Sequence, residues 1–392
     1  MLIHSFEVTN YKGFRDAQRV ELASLTLFYG ENSSGKSALL RLLPWIAESM
    51  ADSRPGPCLD GVVGREALWS DLAHVATLPI EVKLRWQAGP TASWALRGGP
   101  LPGTCELKTI TLEGGPTALS LADDGDGTWR GRVSSVSGML PSLQCEDFWS
   151  ELGLRRRSFG LEVQWLQGIR AGVPRVEKAL AAPPAVLSAT GKGVARFLYH
   201  WDRVARSKRE TQALGFVLRF FERLGLALRA SDIAPGFFRL EVGPLNGTVA
   251  ISLVDTGEGL TQVLAPLVAL ARAAYGLGPG VVCMEQPELH LHTDAQRVLA
   301  ISIAEAAATG AQVLIETHSE VLLAATQLAV AQQRLQAEQV ALYWVERHPG
   351  LISVAHQVPL DKLGRVGGGW PIDAFNDLLT LKSELLEAQR GG

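Results

Sequence analysis

Gly30, Glu31, Asn32, Ser33, Ser34, Gly35, Lys36 and Ser37 fit the spacing G-x-x-x-x-G-K-(S/T) in full. Glycines at both ends let the backbone wrap an anion so that successive N–H groups point inward. Lys36 adds an ammonium that can reach the β- and γ-phosphates, and the Ser37 hydroxyl is suited to ligating Mg2+. Ala38 carries the loop into a helix whose N-terminal dipole favours negative charge. Val281-Val282-Cys283-Met284-Glu285 is an apolar run ending on a carboxylate. A hard cation opposite a phosphate loop needs an anionic oxygen held in that way, and Glu285 fills the place. Leu314-Ile315-Glu316-Thr317-His318-Ser319 is a second apolar run ending in polar residues. There His318 can donate a hydrogen bond to a γ-phosphate and sense its presence. Each segment alone has a plainer reading: a glycine-rich turn, a strand-end carboxylate in a surface salt bridge, a structural histidine. Together and in this order they predict a site for ATP with Mg2+.

Such groups must sit at strand ends and at loop-to-helix junctions. Residues 2–9 read as a strand, 11–16 as a turn and 24–29 as a buried strand. The phosphate loop follows, then an amphipathic helix from about Lys36 to Met50 that Pro44 should kink. Residues 51–64 are a Pro- and Gly-rich surface loop. From 78 to 136 the alternation and the turns at Gly89-Pro90 and 123–127 predict an antiparallel sheet. Residues 161–166 read as another strand, 193–228 as helical, and 238–242 and 248–254 as strands. A helix reaches Tyr275, followed by a strand at 280–284, a helix at 294–308 and a strand at 312–316. The remainder reads as two helices around a strand at 341–346.

The chain has 392 residues, enough for a substantial core in one large domain or two. Hydrophobic residues make up 47% and charged residues 20%, as in ordinary globular proteins. A net charge of -3 and a pI near 6.3 leave no global basic field to attract nucleic acid or an anionic membrane. Cys58, Cys105, Cys145 and Cys283 lie far apart, which excludes a zinc ribbon and gives no disulfide framework. The first residues alternate and carry charge, unlike a signal peptide. Apolar stretches such as 263–274 are too short for a bilayer and hold Arg272. These features predict a cytoplasmic protein with no membrane transport of its own.

The three nucleotide motifs resemble those of ABC-type ATPases of the RecF, SMC and overcoming-lysogenization-defect (OLD) branch. Phe6-Glu7-Val8-Thr9-Asn10-Tyr11-Lys12-Gly13-Phe14 resembles that branch's NFKxF opening. Asn32, Gly35, Lys36 and Ser37 match its Walker A, and residues 285–292 (EQPELHLH) resemble its Walker B, E-(E/Q)-P-E-x-H-L-H-P. His318 corresponds to its switch histidine. Residues 255–262 (DTGEGLTQ) resemble the SDxGxGxSQ signature of one bacterial subfamily, though an ordinary Gly turn opening a helix would also fit. The resemblance implies that Gly257, Glu258, Gly259, Thr261 and Gln262 cap the γ-phosphate held by a partner subunit in a head-to-tail homodimer. Ile169-Arg170-Ala171, residues 190–193 and residues 370–375 are further matches. The implied setting is bacterial antiviral defence, with a separately encoded effector.

Two departures qualify the resemblance. Transporter-type relatives place a glutamate after the Walker B acid, whereas Gln286 can orient water but cannot take its proton. Either Glu288 serves as the base, or hydrolysis is slow and ATP acts as a clamp. Many OLD-type relatives also carry a Toprim nuclease, but no DxD follows His318, so no nuclease is expected here. His290 and His292 form an HxH pair without an identifiable third ligand, which favours interface contacts over zinc. Arg155-Arg156-Arg157 and the cluster from Arg203 to Arg209 could grip the phosphates of duplex DNA, or be solvated faces. Residues 69–72 offer a positional guess for a Q-loop.

The expected fold is α/β: an ABC-type P-loop ATPase head with an antiparallel β subdomain and a helical insertion. Residues 1–184 form the N-terminal lobe, 185–245 the insertion, and 246–392 the C-terminal lobe with the signature, Walker B and switch histidine. The alternatives are a RecF-like DNA-repair ATPase and a non-hydrolysing ATP-gated assembly module.

Overall fold

The computed structural model describes residues 2–368, apart from 88, 102, 116–117, 124–128, 131–132, 134, 180–182 and 205–206. Among them the chain opens with β1 (Ile3–Thr9), β2 (Gln18–Glu21), β3 (Leu25–Gly30), α1 (Lys36–Ala51) and α2 (Trp69–Leu72). There follow β4 (Ile80–Trp86), β5 (Thr91–Gly98), β6 (Cys105–Glu113), β7 (Leu119–Asp123), β8 (Trp129–Arg130), β9 (Val136–Ser137) and β10 (Leu140–Pro141). The middle holds α3 (Glu146–Leu152), β11 (Val163–Leu166), β12 (Glu177–Lys178), α4 (Val194–Arg203), α5 (Lys208–Arg223), β13 (Leu226–Ala234), β14 (Phe237–Pro244) and β15 (Ile251–Ser252). Last come α6 (Glu258–Gln262), α7 (Leu264–Ala274), β16 (Val281–Glu285), α8 (Thr293–Ala308), β17 (Gln312–Glu316), α9 (Glu320–Ala331), β18 (Val340–His348) and β19 (Ile352–Val358).

The nucleotide motifs share one sheet of order β11-β16-β17-β3-β18-β19. Its first five strands run parallel, and β19 pairs antiparallel with β18. Strands β3, β16 and β17 are buried at every position. Both faces of a parallel sheet are covered, so these strands are mostly apolar, with polar residues at their ends and at Thr26. Leu25, Leu27, Tyr29, Val282, Met284, Val313 and Ile315 pack with residues of α4, α5, α7, α8 and α9. Phe28, Val281, Cys283 and Leu314 face the other way, toward α1 and the second sheet. Their alternation with the first set is what layers the sheet between two cores.

The second sheet is antiparallel throughout, in the order β2-β1-β4-β5-β6-β7-β8. It bears out the expected antiparallel region and also recruits β1 and β2. Pro44 lies inside α1. The insertion differs from the expected single helical stretch. Helix α5 ends at Arg223, Gly225 takes a φ of 74°, and β13 pairs antiparallel with β14. Leu228 and Ala230 point into the core at a spacing of two, a period that a helical reading overlooks. The expected strand at 248–254 is reduced to β15, and β19 follows where a helix was expected. The 370–375 motif lies outside the described residues. No helix among the described residues is long and apolar enough to cross a membrane.

Candidate nucleotide-binding site

The phosphate loop joins β3 to α1. Gly30 has a φ of 142°, and a Cβ there would stand 2.0 Å from the Val345 carbonyl oxygen. Gly35 has a φ of 114° and is pressed by the Phe14 ring, 3.1 Å from where its Cβ would be. Only glycine suits both the backbone and the space. The N-terminal motif therefore braces the loop from behind, with Tyr11 stacked on Trp45 of α1 at 5.9 Å between ring centroids. Glu31, Asn32 and Ser33 are exposed, whereas Lys36 is 3% exposed. Its Nζ donates to the carbonyls of Gly30 (3.0 Å) and Glu31 (2.6 Å), coiling the loop around the ammonium. Burial lowers the Lys36 pKa, and the charges of Glu316 and Glu31 oppose that shift.

Next to the loop, strand ends line up a row of polar residues. Leu166 pairs with Met284, and Glu285 is the register partner of Glu316, so Gln167, Glu285 and Glu316 follow one another across three strands. Glu285 is held by Arg41 of α1, with Nε on Oε1 at 2.6 Å and Nη2 on Oε2 at 2.7 Å. The Trp165 indole N–H adds a bond to Oε1 at 3.1 Å. Glu316 accepts the Ser37 hydroxyl at 2.8 Å, and burial raises its pKa. Its other oxygen is buried without a hydrogen-bond partner.

The turn after β16 begins with Gln286, which has a φ of 39° and donates its N–H to the Glu316 carbonyl (2.8 Å). Glu288 is buried; its Oε1 accepts the Thr317 hydroxyl (2.5 Å) and the His318 N–H (3.3 Å), while Oε2 has no partner. Burial raises the Glu288 pKa against these bonds. His318 is exposed, and partial desolvation followed by the Lys36 charge lowers its pKa, which keeps the imidazole neutral near pH 7.

The signature segment forms α6, and Val263 links it to α7 in helical geometry. Gly257 and Glu258 are exposed, whereas Gly259, Thr261 and Gln262 are buried. A Cβ on Gly259 would lie 2.4 Å from the His290 carbonyl oxygen, so α6 packs directly on the turn after Walker B. Arg170 locks that contact. Arg170 is 3% exposed, and its guanidinium donates to the carbonyls of Gln262, Gln167, Glu285, Gln286 and Pro287. Burial lowers its pKa to about 10.

Other expected residues stand apart. His290 and His292 are exposed beside different acids, Glu258 (3.9 Å) and Asp294 (3.8 Å). Among the described residues, neither belongs to a cluster of three metal-ligating side chains. Arg156 donates to the Pro141 and Ser137 carbonyls, and Arg203 to that of Ala230, so these guanidinia brace the fold. Arg206 lies outside the described residues. Residues 69–72 form α2. The sequence reading passed over the roles of Arg41, Trp165, Gln167 and Glu316. Arg41 had a local signal, since it stands four residues after Ser37 on the same helix face.

Two family models match the chain. One, described as "AAA domain, putative AbiEii toxin, Type IV TA system", covers residues 192–324, and the other, "AAA ATPase domain", covers residues 1–66. No curated protein matches the chain. Among solved structures, an SmcHead bound to the C-winged helix domain of ScpA is similar with a TM-score of 0.53 at 13% identity. That match covers 92% of this chain and 99% of the other, and it speaks for the fold alone. The SMC head domain from Thermotoga maritima gives a TM-score of 0.46 at 11% identity, covering 92% of this chain and 100% of that one. The Smc head domain from Pyrococcus furiosus, with an extended coiled coil and bound to the C-terminal domain of ScpA, gives 0.48 at 11% identity, covering 99% of each chain. Residues 1–66 and 192–324 thus match models of AAA-family ATPase domains, and the chain has the mixed α/β fold seen in SMC heads.

Proposed function

We propose that this ATPase binds ATP with Mg2+ at residues 30–38, closes around it as a head-to-tail homodimer and hydrolyses it slowly. The observation that carries the reading is the meeting of the loop with two carboxylate-bearing strand ends. Lys36 is sequestered at the loop's centre, and Ser37 bonds the end of β17. The donor set suits Mg2+, because an orphaned buried carboxylate oxygen on Glu316 stands beside the Ser37 hydroxyl. When bound, the ion would neutralise charge on the β- and γ-phosphates.

In this reading the loop N–H groups and Lys36 bind the phosphates, and neutral His318 donates to the γ-phosphate. Glu288 takes the proton of the attacking water, which Gln286 orients. Gly257, Glu258, Gly259, Thr261 and Gln262 of one protomer cap the nucleotide of the other. The resemblance of its motifs to the OLD branch supports a setting in antiviral defence with a separately encoded effector. Gln286 favours one second reading, an ATP-gated module that assembles without turnover.

Phosphate release by the full chain with Mg-ATP tests the proposal, with and without duplex DNA and beside Lys36→Ala. Turnover that Lys36→Ala abolishes supports the ATPase. ATP binding without turnover moves the gated module ahead, and strong stimulation by DNA moves a RecF-like DNA-repair role ahead.

A further inference from the structure

Glu285 and Glu316 end neighbouring parallel strands and face each other in register, yet their oxygens are used differently. Both Glu285 oxygens are taken by the forked guanidinium of Arg41, and Oε1 also accepts the Trp165 N–H. Arg41 lies over the Trp165 ring with its central carbon 5.7 Å from the centroid, which completes a closed unit. A cation approaching those oxygens would meet a fixed guanidinium of like charge and would have to break a charge-assisted, bidentate pair.

Glu316 is 8% exposed and has no such partner. One oxygen accepts the Ser37 hydroxyl at 2.8 Å, the group that the loop's spacing assigns to Mg2+. The other is buried and unbonded. Carboxylate oxygens left that way are costly and call for a ligand. Resting on the ATP-binding reading above, we propose that Glu316, not the Walker B acid Glu285, is the carboxylate that joins Ser37 in holding the nucleotide's Mg2+. Glu285, Arg41 and Trp165 then form a strut that fixes the end of β16 against α1. The carboxylate function has moved one strand along the sheet.

The test is the affinity of the full-length protein for a fluorescent ATP analogue, measured in Mg2+ and in EDTA, with Glu316→Gln, Glu316→Asp and Glu285→Gln. Electron paramagnetic resonance of Mn2+-ATP on the same proteins reports the metal without reference to turnover. Glu316→Gln should lose the gain in affinity that Mg2+ gives the wild type, about tenfold or more, as expected for a lost charged contact. Its affinity in EDTA should match the wild type, which shows that the loop is intact, and Glu316→Asp should keep part of the gain. Glu285→Gln should keep the Mg2+ gain and the Mn2+ signal while melting at a lower temperature. A gain kept in Glu316→Gln but lost in Glu285→Gln overturns this proposal and leaves the ATP reading standing. A wild type that binds no analogue in either buffer overturns both.

Discussion

The Thr317 hydroxyl lies 2.5 Å from Glu288 Oε1, and this bond ties the turn after Walker B to the strand end that carries His318. The same oxygen accepts the His318 N–H, so Glu288 positions the His318 backbone, and in the proposed reading it also accepts the proton of the attacking water. Its second oxygen is buried without a partner, and burial raises the proton affinity of this carboxylate. Glu288→Gln keeps the shape and removes the base. Phosphate release should fall about 100-fold, while ATP-analogue affinity stays within about threefold, as expected for a lost general base.

The same substitution has a signature in stability. Burial raises the folded-state pKa of Glu288 above its ordinary value of 4.5, so the folded protein takes up its proton at higher pH than the unfolded chain. Stability attached to this group is therefore complete below pH 4.5 and lost as the pH rises through the folded value. Glu288→Gln should gain melting temperature relative to wild type at pH 8, and the gain should fade toward pH 4.5. A difference independent of pH would show that the carboxylate is not the source.

Gln286 follows the Walker B acid on a backbone held at a φ of 39° by its N–H bond to the Glu316 carbonyl. Gln286→Glu supplies a base without changing the side-chain length. Phosphate release should rise by about tenfold or more, within the range attributed to general bases. An unchanged rate would place the limit on turnover elsewhere.

Gly259 has no room for a side chain, because His290 blocks the space with backbone. Gly259→Ala should displace α6 and cost about 1–3 kcal/mol, as overpacking does. ATP-dependent dimerisation, followed by sedimentation velocity, should weaken, while the protein keeps its affinity for the ATP analogue. Dimerisation unchanged in this variant would detach the signature segment from the interface.

Arg170 donates to five backbone carbonyls from three segments. Arg170→Ala should destabilise the protein by about 3 kcal/mol or more, since each buried acceptor left alone costs about 1–3 kcal/mol. Arg170→Lys should recover only part of the loss, because an ammonium cannot reproduce the guanidinium fork. Urea denaturation of the three proteins measures both effects.

The phosphate loop and the strands beneath it were legible because their signals are local. Gly30 and Gly35 occupy backbone conformations other residues avoid, and β3, β16 and β17 are largely apolar. The antiparallel region showed the same way, through the alternation of Ile80 to Trp86. The division of labour between Glu285 and Glu316 was not legible. Both end apolar strands and look alike in sequence, but their partners lie 244 and 279 residues away, at Arg41 and Ser37. Strand β13 was hidden for a different reason. Leu224, Leu226 and Leu228 extend the apolar pattern of α5, and only the φ of Gly225 marks where helix gives way to strand.

If ATP closes two copies of the chain into a dimer, the mass of the full chain in solution must change with nucleotide. Multi-angle light scattering should be run without nucleotide, with Mg-ATP, and with Mg-ATP on Lys36→Ala. The mass should rise from about the chain mass of 42.2 kDa to twice that value with Mg-ATP, and should not rise for Lys36→Ala. A wild-type mass that does not change while the ATP analogue is bound would contradict the ATP-closed dimer.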